Sequence, residues 1–381
     1  MLLTGHFYRQ KRRGSMHWLA DELVRLGWQV RFVTVGYSWL SLLLGDKRLR
    51  VLDARPPQGR HPVRPGLETM FAITPVHPIN LRSALANWLA RPILGLFAAC
   101  WGRLLKPLVA DCDLVVMESG PPVLLARAVR RHTAAPLVYR VNDDVRLLNL
   151  HPMIARAESA AAPLFARISL ASPFLARRFA GCGTVALDPM GVDKALFSAA
   201  CADPYQPRRA VEAVCAGTTQ FDAQAVATMA RARPDWRFHV IGRLAAPVAE
   251  PNVVCHGEMP FADLVPFIRH ADIGIAPYLN RPGVEYQTHH SNRLLQYAFF
   301  KLPVAAPRRM VHPDLPHIFG YDPADPASVA AALEAARTYP DRATIREPDD
   351  WSVLARGIAS CAAVAPNECC DIEAAANPTP A

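Results

Sequence analysis

The 381-residue chain contains no GxxxxGK[ST] phosphate loop and no HExxH pair, which argues against a P-loop nucleotide enzyme and a zincin. Its nearest approach to the dinucleotide fingerprint GxGxxG, Gly181-Cys182-Gly183, lacks the third glycine and sits in mid-domain, so a nicotinamide dehydrogenase is disfavoured. The nine cysteines are odd in number and include no CxxC pair; this argues against a disulfide framework and a zinc ribbon, and suits a reducing cytosol. No basic-apolar-small leader opens the sequence. The longest strongly apolar stretch, eleven residues from Pro92 to Gly102, is bounded by Arg91 and Arg103 and is expected to be too short for a bilayer. The one DxD, Asp111-Cys112-Asp113, immediately precedes an apolar run and reads as strand punctuation rather than as a cation site. Basic stretches lack interleaved aromatics, which argues against nucleic acid as a partner.

What the chain does have is a globular composition, 51% hydrophobic and 20% charged, with length for two domains. Its net charge of +9 is unevenly placed. Residues 1–190 hold 25 Lys and Arg against 12 Asp and Glu, whereas residues 191–381 hold 17 against 21. A front half at +13 suits an anionic partner that touches only the first domain, such as an acidic substrate or an anionic membrane leaflet.

Apolar runs of strand character alternate with amphipathic helical stretches, the pattern of parallel βαβ units. In the front half the strands are expected at Met1–Gly5, Gln29–Val35, Asp113–Met117, Pro136–Val141 and Ile168–Ala171, with helices at Met16–Leu26, Val123–Arg131 and from Pro173. A polar, proline-containing stretch from Asp188 to Arg209 then breaks the pattern, and a second α/β series starts at Val211–Ala216. The later strands are expected at Phe238–Ile241, Val253–His256, Ile273–Ala276 and Pro303–Ala305, with a helix over Ser291–Phe300. This predicts domains over 1–190 and 191–350, a C-terminal helix over 351–364 that packs back on the first domain, and a disordered tail over 365–381.

In open parallel sheets, ligands sit beyond the carboxyl ends of the strands, so the loops there are the places to look for chemistry. Asp143 and Asp144 directly follow the strand Pro136–Val141, a position suited to a general base or to a helix cap. His256-Gly257-Glu258-Met259 ends another strand ahead of Pro260, a restrained loop able to read a flat heterocycle through main-chain groups. Ser291-Asn292-Arg293-Leu294-Leu295-Gln296 opens a helix whose free N–H groups and Arg293 suit a phosphate, and Tyr278 is placed to stack on a base or close the same pocket. The stretch from Leu85 to Leu108 sets Trp88, Leu89, Ile93, Leu96, Phe97 and Trp101 among Arg91, Arg103 and Lys106, a composition that suits either a membrane interface or a core-packed helix.

A series of short blocks in one order carries a resemblance. They include Gly5-His6-Phe7, Lys11-Arg12-Arg13, Tyr37-Ser38-Trp39-Leu40-Ser41, Gly45-Asp46-Lys47-Arg48-Leu49, Glu118-Ser119-Gly120, Leu137-Val138-Tyr139-Arg140, Gly257-Glu258-Met259, Gly274-Ile275-Ala276-Pro277-Tyr278 and Leu294-Leu295-Gln296-Tyr297. Over roughly Thr4 to Leu354 the sequence resembles the GumK-type glucuronosyltransferases, bacterial GT-B enzymes of the family that builds the xanthan repeat unit. The resemblance implies an α/β GT-B fold, two Rossmann-like α/β/α domains facing a central cleft. It further implies inverting transfer of glucuronic acid from UDP-glucuronate to a mannose on a polyprenyl-diphosphate-linked oligosaccharide, by a peripheral protein at the cytoplasmic face of the plasma membrane.

By residue matching, Asp143 falls on the family's general base, and Thr219, Glu258, Met259, Tyr278, Asn292, Arg293 and Gln296 fall where the family holds UDP. No metal or other cofactor is expected, because a helix N-terminus and a cation can stabilise the leaving diphosphate. The chain departs from the family pattern at Arg293 (Lys), Asn292 (Met), Thr218-Thr219 (Ser-Met) and at the second acid, Asp144. The glucuronate carboxylate needs donors of its own, for which Arg293, Lys11, Arg12 and Arg13 are the candidates. A retaining GT-B enzyme would carry an E-x7-E pair; the places matching Glu285 and Glu258 hold Arg293 and Pro266, so that pair is missing. The alternatives are a different UDP-sugar donor, or a non-catalytic scaffold that binds nucleotide sugar or lipid.

Overall fold

The computed structural model describes residues 1–10, 13–43, 57–182 and 184–363; expectations at Lys11, Arg12, Gly183, 45–49 and 365–381 lie outside the described residues. The chain forms two compact units, Met1–Pro189 together with the segment that starts at Trp351, and Met190–Asp350.

The first unit is built on β1 (Leu2–Thr4), β2 (Val30–Thr34), β3 (Gly59–Arg64), β4 (Leu67–Phe71), β5 (Val115–Glu118), β6 (Leu137–Val141), β7 (Arg167–Leu170) and β8 (Val185–Leu187). They form one sheet in the order β3-β4-β2-β1-β5-β6-β7-β8, parallel throughout except for β3 against β4. β5 and β6 are buried at every residue, as parallel strands covered on both faces must be, which is why they are mainly apolar in the sequence, with Glu118 and Arg140 the charged residues among them. The strand order reverses between β1 and β5, so the loops after these two strands flank the natural crevice of the sheet.

The second unit repeats the plan with β9 (Glu212–Ala216), β10 (Arg237–Ile241), β11 (Val253–Gly257), β12 (Ile273–Ile275), β13 (Val304–Pro307) and β14 (Ile318–Tyr321). All six are parallel, in the order β11-β10-β9-β12-β13-β14, and the order reverses between β9 and β12. The helix Trp351–Ala359 belongs to the first unit, where Trp351 stacks on Trp18 with ring centroids 6.3 Å apart and planes 8° from parallel.

Two expectations need correction. The helix foreseen over Val123–Arg131 starts as a 3-10 turn, Pro121–Leu125, before its α-helical part Ala126–Arg130, and the one foreseen from Pro173 is a 3-10 turn, Pro173–Phe179; a proline opens each turn. The apolar stretch is longer than its arginines suggested. Helices Ala84–Gly95 and Phe97–Val109 meet at Leu96, and their 26 residues are long and apolar enough to cross a bilayer by length and composition. The second of these helices nevertheless puts Phe97, Trp101, Leu105, Leu108 and Val109 into the core of the unit. The first leaves Leu85, Trp88, Leu89 and Ile93 more than half exposed, as is Leu96 at the joint.

The helix Ser15–Arg25 fixes the loop after β1 through a buried histidine. His17 Nδ1 accepts from Gly14 N–H at 3.0 Å, and Nε2 lies 3.0 Å from the Phe7 carbonyl, which makes Nε2 the protonated nitrogen of a neutral ring. Burial pushes its pKa down to about 4. The unfolded chain therefore takes up a proton near pH 6.5 that the folded chain refuses until about pH 4. The stabilisation from neutral His17 is complete above pH 6.5 and is lost as pH falls toward 4, by about 3 kcal/mol in all. Denaturant titrations at neutral and mildly acidic pH are expected to show that loss, and His17→Gln is expected to remove most of it.

Candidate active site

In the first unit the loops after β1, β5 and β6 are tied together at the strand-order reversal. Thr4 Oγ1 donates to Glu118 Oε2, and Asn142 Nδ2 donates to Glu118 Oε1 at 3.0 Å. The other end of the Asn142 amide accepts from Arg140 Nε at 3.1 Å, so the side chain is held from both sides and cannot flip. Arg140 is fully buried; its Nη1 reaches Ser169 Oγ at 3.0 Å and the Asp188 carbonyl at 2.5 Å. Ser119 Oγ accepts from the backbone N–H groups of Asn142 and Asp143 at 3.2 and 3.4 Å.

The two adjacent acids are unlike one another. Asp144 is buried and chelated by Arg146, with Nε to Oδ1 at 3.0 Å and Nη2 to Oδ2 at 2.7 Å, while Arg178 Nη1 stands 3.2 Å from Oδ1. Burial opposes its ionisation, but the Arg146 hydrogen bonds and the Arg178 charge outweigh that and hold its carboxyl below the usual range. Arg178 also pairs with Glu158, which accepts from Tyr139 OH at 2.8 Å. Asp144 thus belongs to a buried ion network. Asp143, on the same loop, is half-buried.

In the second unit the loops after β9, β10, β11 and β12 and the helix Asn292–Phe299 converge at the carboxyl ends of the strands. Gly217 N–H donates to the Ile241 carbonyl and Gly242 N–H to the Gly257 carbonyl, both at 2.7 Å, so the three loop starts form a chain. Gly242 has φ +139°, and a Cβ there would lie 2.8 Å from the Thr218 side chain, so only glycine lets these loops nest.

Arg293 is the centre of this region. It is 5% exposed, and among the described residues it has no ion pair. Its Nε donates to the Ala216 carbonyl at 3.0 Å, its Nη2 donates to the Gly217 carbonyl, and its guanidinium carbon lies 4.5 Å from the centre of the Tyr278 ring. Nη1 is buried with no hydrogen-bond partner. Burial works against the charge, but Tyr278 and Cys215 outweigh it and keep the guanidinium above the ordinary arginine range. Tyr278 OH meets Ser291 Oγ, and Ser291, the N-cap residue of the helix, makes no side-chain bond to the first-turn N–H groups. A charged group with one free donor and the open N-terminus of a helix thus lie side by side, the arrangement that binds an anion.

The helix is anchored by a residue that the sequence reading did not single out for the site. Tyr297 is fully buried, and its hydroxyl accepts from Ala216 N–H at 2.9 Å and lies 2.8 Å from the Val214 and 3.1 Å from the Ile275 carbonyl. Its ring lies against Gly274, where a Cβ would stand 2.5 Å from the ring. Gln296 is buried on the same helix, Asn292 is half-buried in its first turn, and Met259 packs against the core cluster around Tyr278 and Leu294. Glu258 and Thr219 are exposed on the loops after β11 and β9.

Other expectations fare differently. Arg13 is committed to an ion pair with Asp21 and stacks 4.6 Å from the Trp18 ring, which removes it from the candidates for reading a sugar carboxylate. Asp111 is chelated by Arg31 at 2.7 and 2.9 Å, and the Arg31 hydrogen bonds hold its pKa at about 2. It lies at the amino end of β5, beside a recess whose charges satisfy one another: Arg31 with Glu68, and Arg60 with the same Glu68.

Residues 2–171 match the family described as glucuronosyltransferase GumK, N-terminal domain. The chain is 33% identical over 355 residues to the UDP-glucuronate:glycolipid 2-beta-glucuronosyltransferase of Xanthomonas campestris pv. campestris, covering 92% of this chain and 87% of that protein. Among solved structures it is similar to a sucrose-phosphate synthase from Thermosynechococcus elongatus, with TM-score 0.66, 14% identity and coverage of 94% of this chain and 96% of that one. It is also similar to a UDP-forming trehalose-phosphate synthase from Burkholderia xenovorans, with TM-score 0.59, 13% identity and coverage of 95% and 99%. These similarities show the GT-B fold.

Tyr297→Phe is expected to lower the unfolding free energy by about 1–3 kcal/mol, since it strips the Ala216 N–H and the strand carbonyls of a buried partner. Urea denaturation of the variant against the parent chain measures it.

Proposed function

The chain belongs to the GumK-type glucuronosyltransferases, and from that premise we propose that it transfers glucuronic acid from UDP-glucuronate, with inversion, to a mannose of a polyprenyl-diphosphate-linked oligosaccharide in exopolysaccharide synthesis. The observation that carries the reading is Arg293, a buried cation with no carboxylate partner among the described residues and with Nη1 unsatisfied beside an open helix N-terminus. A buried charge of that kind is costly unless an anion completes it, and a nucleoside diphosphate supplies that charge and the acceptor oxygens. Tyr278 backs the guanidinium, and the loops carrying Thr219, Glu258 and Met259 together with Asn292 and Gln296 supply the rest of the UDP site.

In the proposed reaction Asp143 takes the proton from the acceptor hydroxyl as that oxygen attacks the anomeric carbon from the face opposite UDP. The C1–O bond to the diphosphate breaks, and its electrons go to the leaving phosphate oxygen. Arg293 and the helix N–H groups stabilise that developing charge without a metal ion. Asp144 is unsuited to the same task because two arginines already hold its carboxylate. The Asn142 amide, locked between Arg140 and Glu118, and Ser119 keep the Asp143 backbone in place.

We further propose peripheral attachment at the cytoplasmic face of the plasma membrane through the helix Ala84–Gly95. Leu85, Trp88, Leu89 and Ile93 are exposed on it at helical spacing, flanked by the exposed Arg82 and Arg91. Such a face combines apolar insertion with attraction to anionic lipid.

Two outcomes are expected. With membrane extract and labelled UDP-glucuronate, Asp143→Asn lowers kcat by on the order of a hundredfold or more while UDP still binds, and Arg293→Met weakens UDP binding by on the order of tenfold to a hundredfold. Label transferred from UDP-glucose or UDP-galacturonate instead would overturn the donor assignment; UDP binding without transfer from any donor would favour a scaffold. Co-sedimentation with vesicles containing anionic lipid is expected to fall at least about fivefold in Trp88→Glu/Leu89→Glu, with melting temperature unchanged, since both side chains already face solvent.

A further inference from the structure

His289, His312 and Asp314 form a cluster that none of the chemistry above uses. One ligand atom from each lies within 4.8 Å of the other two, on two separate segments of the second unit. His289 ends the 3-10 turn Val284–His289, and the other two follow the 3-10 turn Arg308–Met310. The turns are already stitched together, by Thr288 Oγ1 donating to the Met310 carbonyl at 3.3 Å and by Arg309 against Glu285 at 3.1 Å. The cluster therefore sits on a preformed mount.

Within the cluster His312 Nδ1 lies 3.3 Å from the Asp314 backbone nitrogen and 3.5 Å from Asp314 Oδ2. The His289 ring meets the His312 ring edge-on, with centroids 4.6 Å apart.

We infer that His289, His312 and Asp314 bind a borderline divalent transition-metal ion of the zinc class, with water in the remaining position, as a clip between the two turns. Two imidazoles and one carboxylate with an open position are a donor set of that class. The site is separate from the diphosphate-binding residues but mechanically next to them. The turn it would clip runs directly into Ser291, whose N–H donates to the Gln287 carbonyl at 2.9 Å. The ion would stiffen the approach to the helix that carries Arg293 and take no part in bond breaking.

The test is titration of the full chain with Co²⁺ alone, which needs no sugar donor and so succeeds or fails independently of the transferase reading. One Co²⁺ per chain is expected, with the visible absorption of a four- or five-coordinate nitrogen–oxygen site and displacement by Zn²⁺. His312→Ala is expected to weaken binding at least about a hundredfold and Asp314→Asn about tenfold, on the scale seen when metal sites lose donors. Asp314 is exposed and His312 half-buried, so the variants are expected to fold as the parent does. Thiolate-to-cobalt charge-transfer bands would place the ion on cysteine and overturn the proposal. So would unchanged affinity in both variants, or the absence of any cobalt binding by the parent chain.

Discussion

A guanidinium kept charged inside the protein without a carboxylate to neutralise it is the constraint on which the second unit depends. Arg293 is tolerated because two main-chain carbonyls at the end of β9 and the face of Tyr278 take up part of its charge, leaving one donor uncommitted. Those carbonyls stay in place because the Tyr297 hydroxyl bonds the main chain of β9, the strand that ends at them, and lies within reach of the Ile275 carbonyl in β12. Gly274 and Gly242 in turn are small so that Tyr297 and Thr218 can approach. A partly compensated charge is stable enough to fold around and unsatisfied enough to bind an anion.

The first unit solves the opposite problem. The charges that make the loop after β6 rigid are spent on the residues on either side of Asp143. Arg140 is spent on Asn142, Ser169 and the Asp188 carbonyl, Arg146 and Arg178 on Asp144. Two consecutive aspartates thus differ in setting, Asp144 buried as an anchor and Asp143 half-buried beside it.

Much of this was legible in the sequence because parallel strands buried on both faces are apolar runs, and the loops after them are where ligands bind. The β5, β6, β9 and β10 runs, and the positions of Asp143, Tyr278 and Arg293 just beyond strands or at a helix start, follow from that rule. The β3–β4 hairpin escaped notice because β3, Gly59–Arg64, alternates half-buried with exposed residues and contains Pro62, which an edge strand tolerates. The difference between Asp143 and Asp144 was not legible either, since it rests on burial and, beside the neighbouring Arg146, on Arg178, 34 positions away in sequence. The role of Tyr297 depends on three strand atoms that only the packed sheet brings within reach of one hydroxyl.

The two places where the chain enters and leaves the second unit lie against each other. Val192 N–H donates to the Asp349 carbonyl at 2.9 Å, and Lys194 N–H to Asp350 Oδ2 at 3.2 Å, so a short ladder closes the unit at its own ends. The chain then returns to the first unit at Trp351. The second unit is therefore an insertion with adjoining termini, the architecture that tolerates excision and transplantation best. Sequence exchange among relatives can replace this whole half as a cassette, cut at two neighbouring points, and leave the first sheet, with Trp351 against Trp18, intact. The fold thereby lets the specificity of one half diversify without redesign of the other.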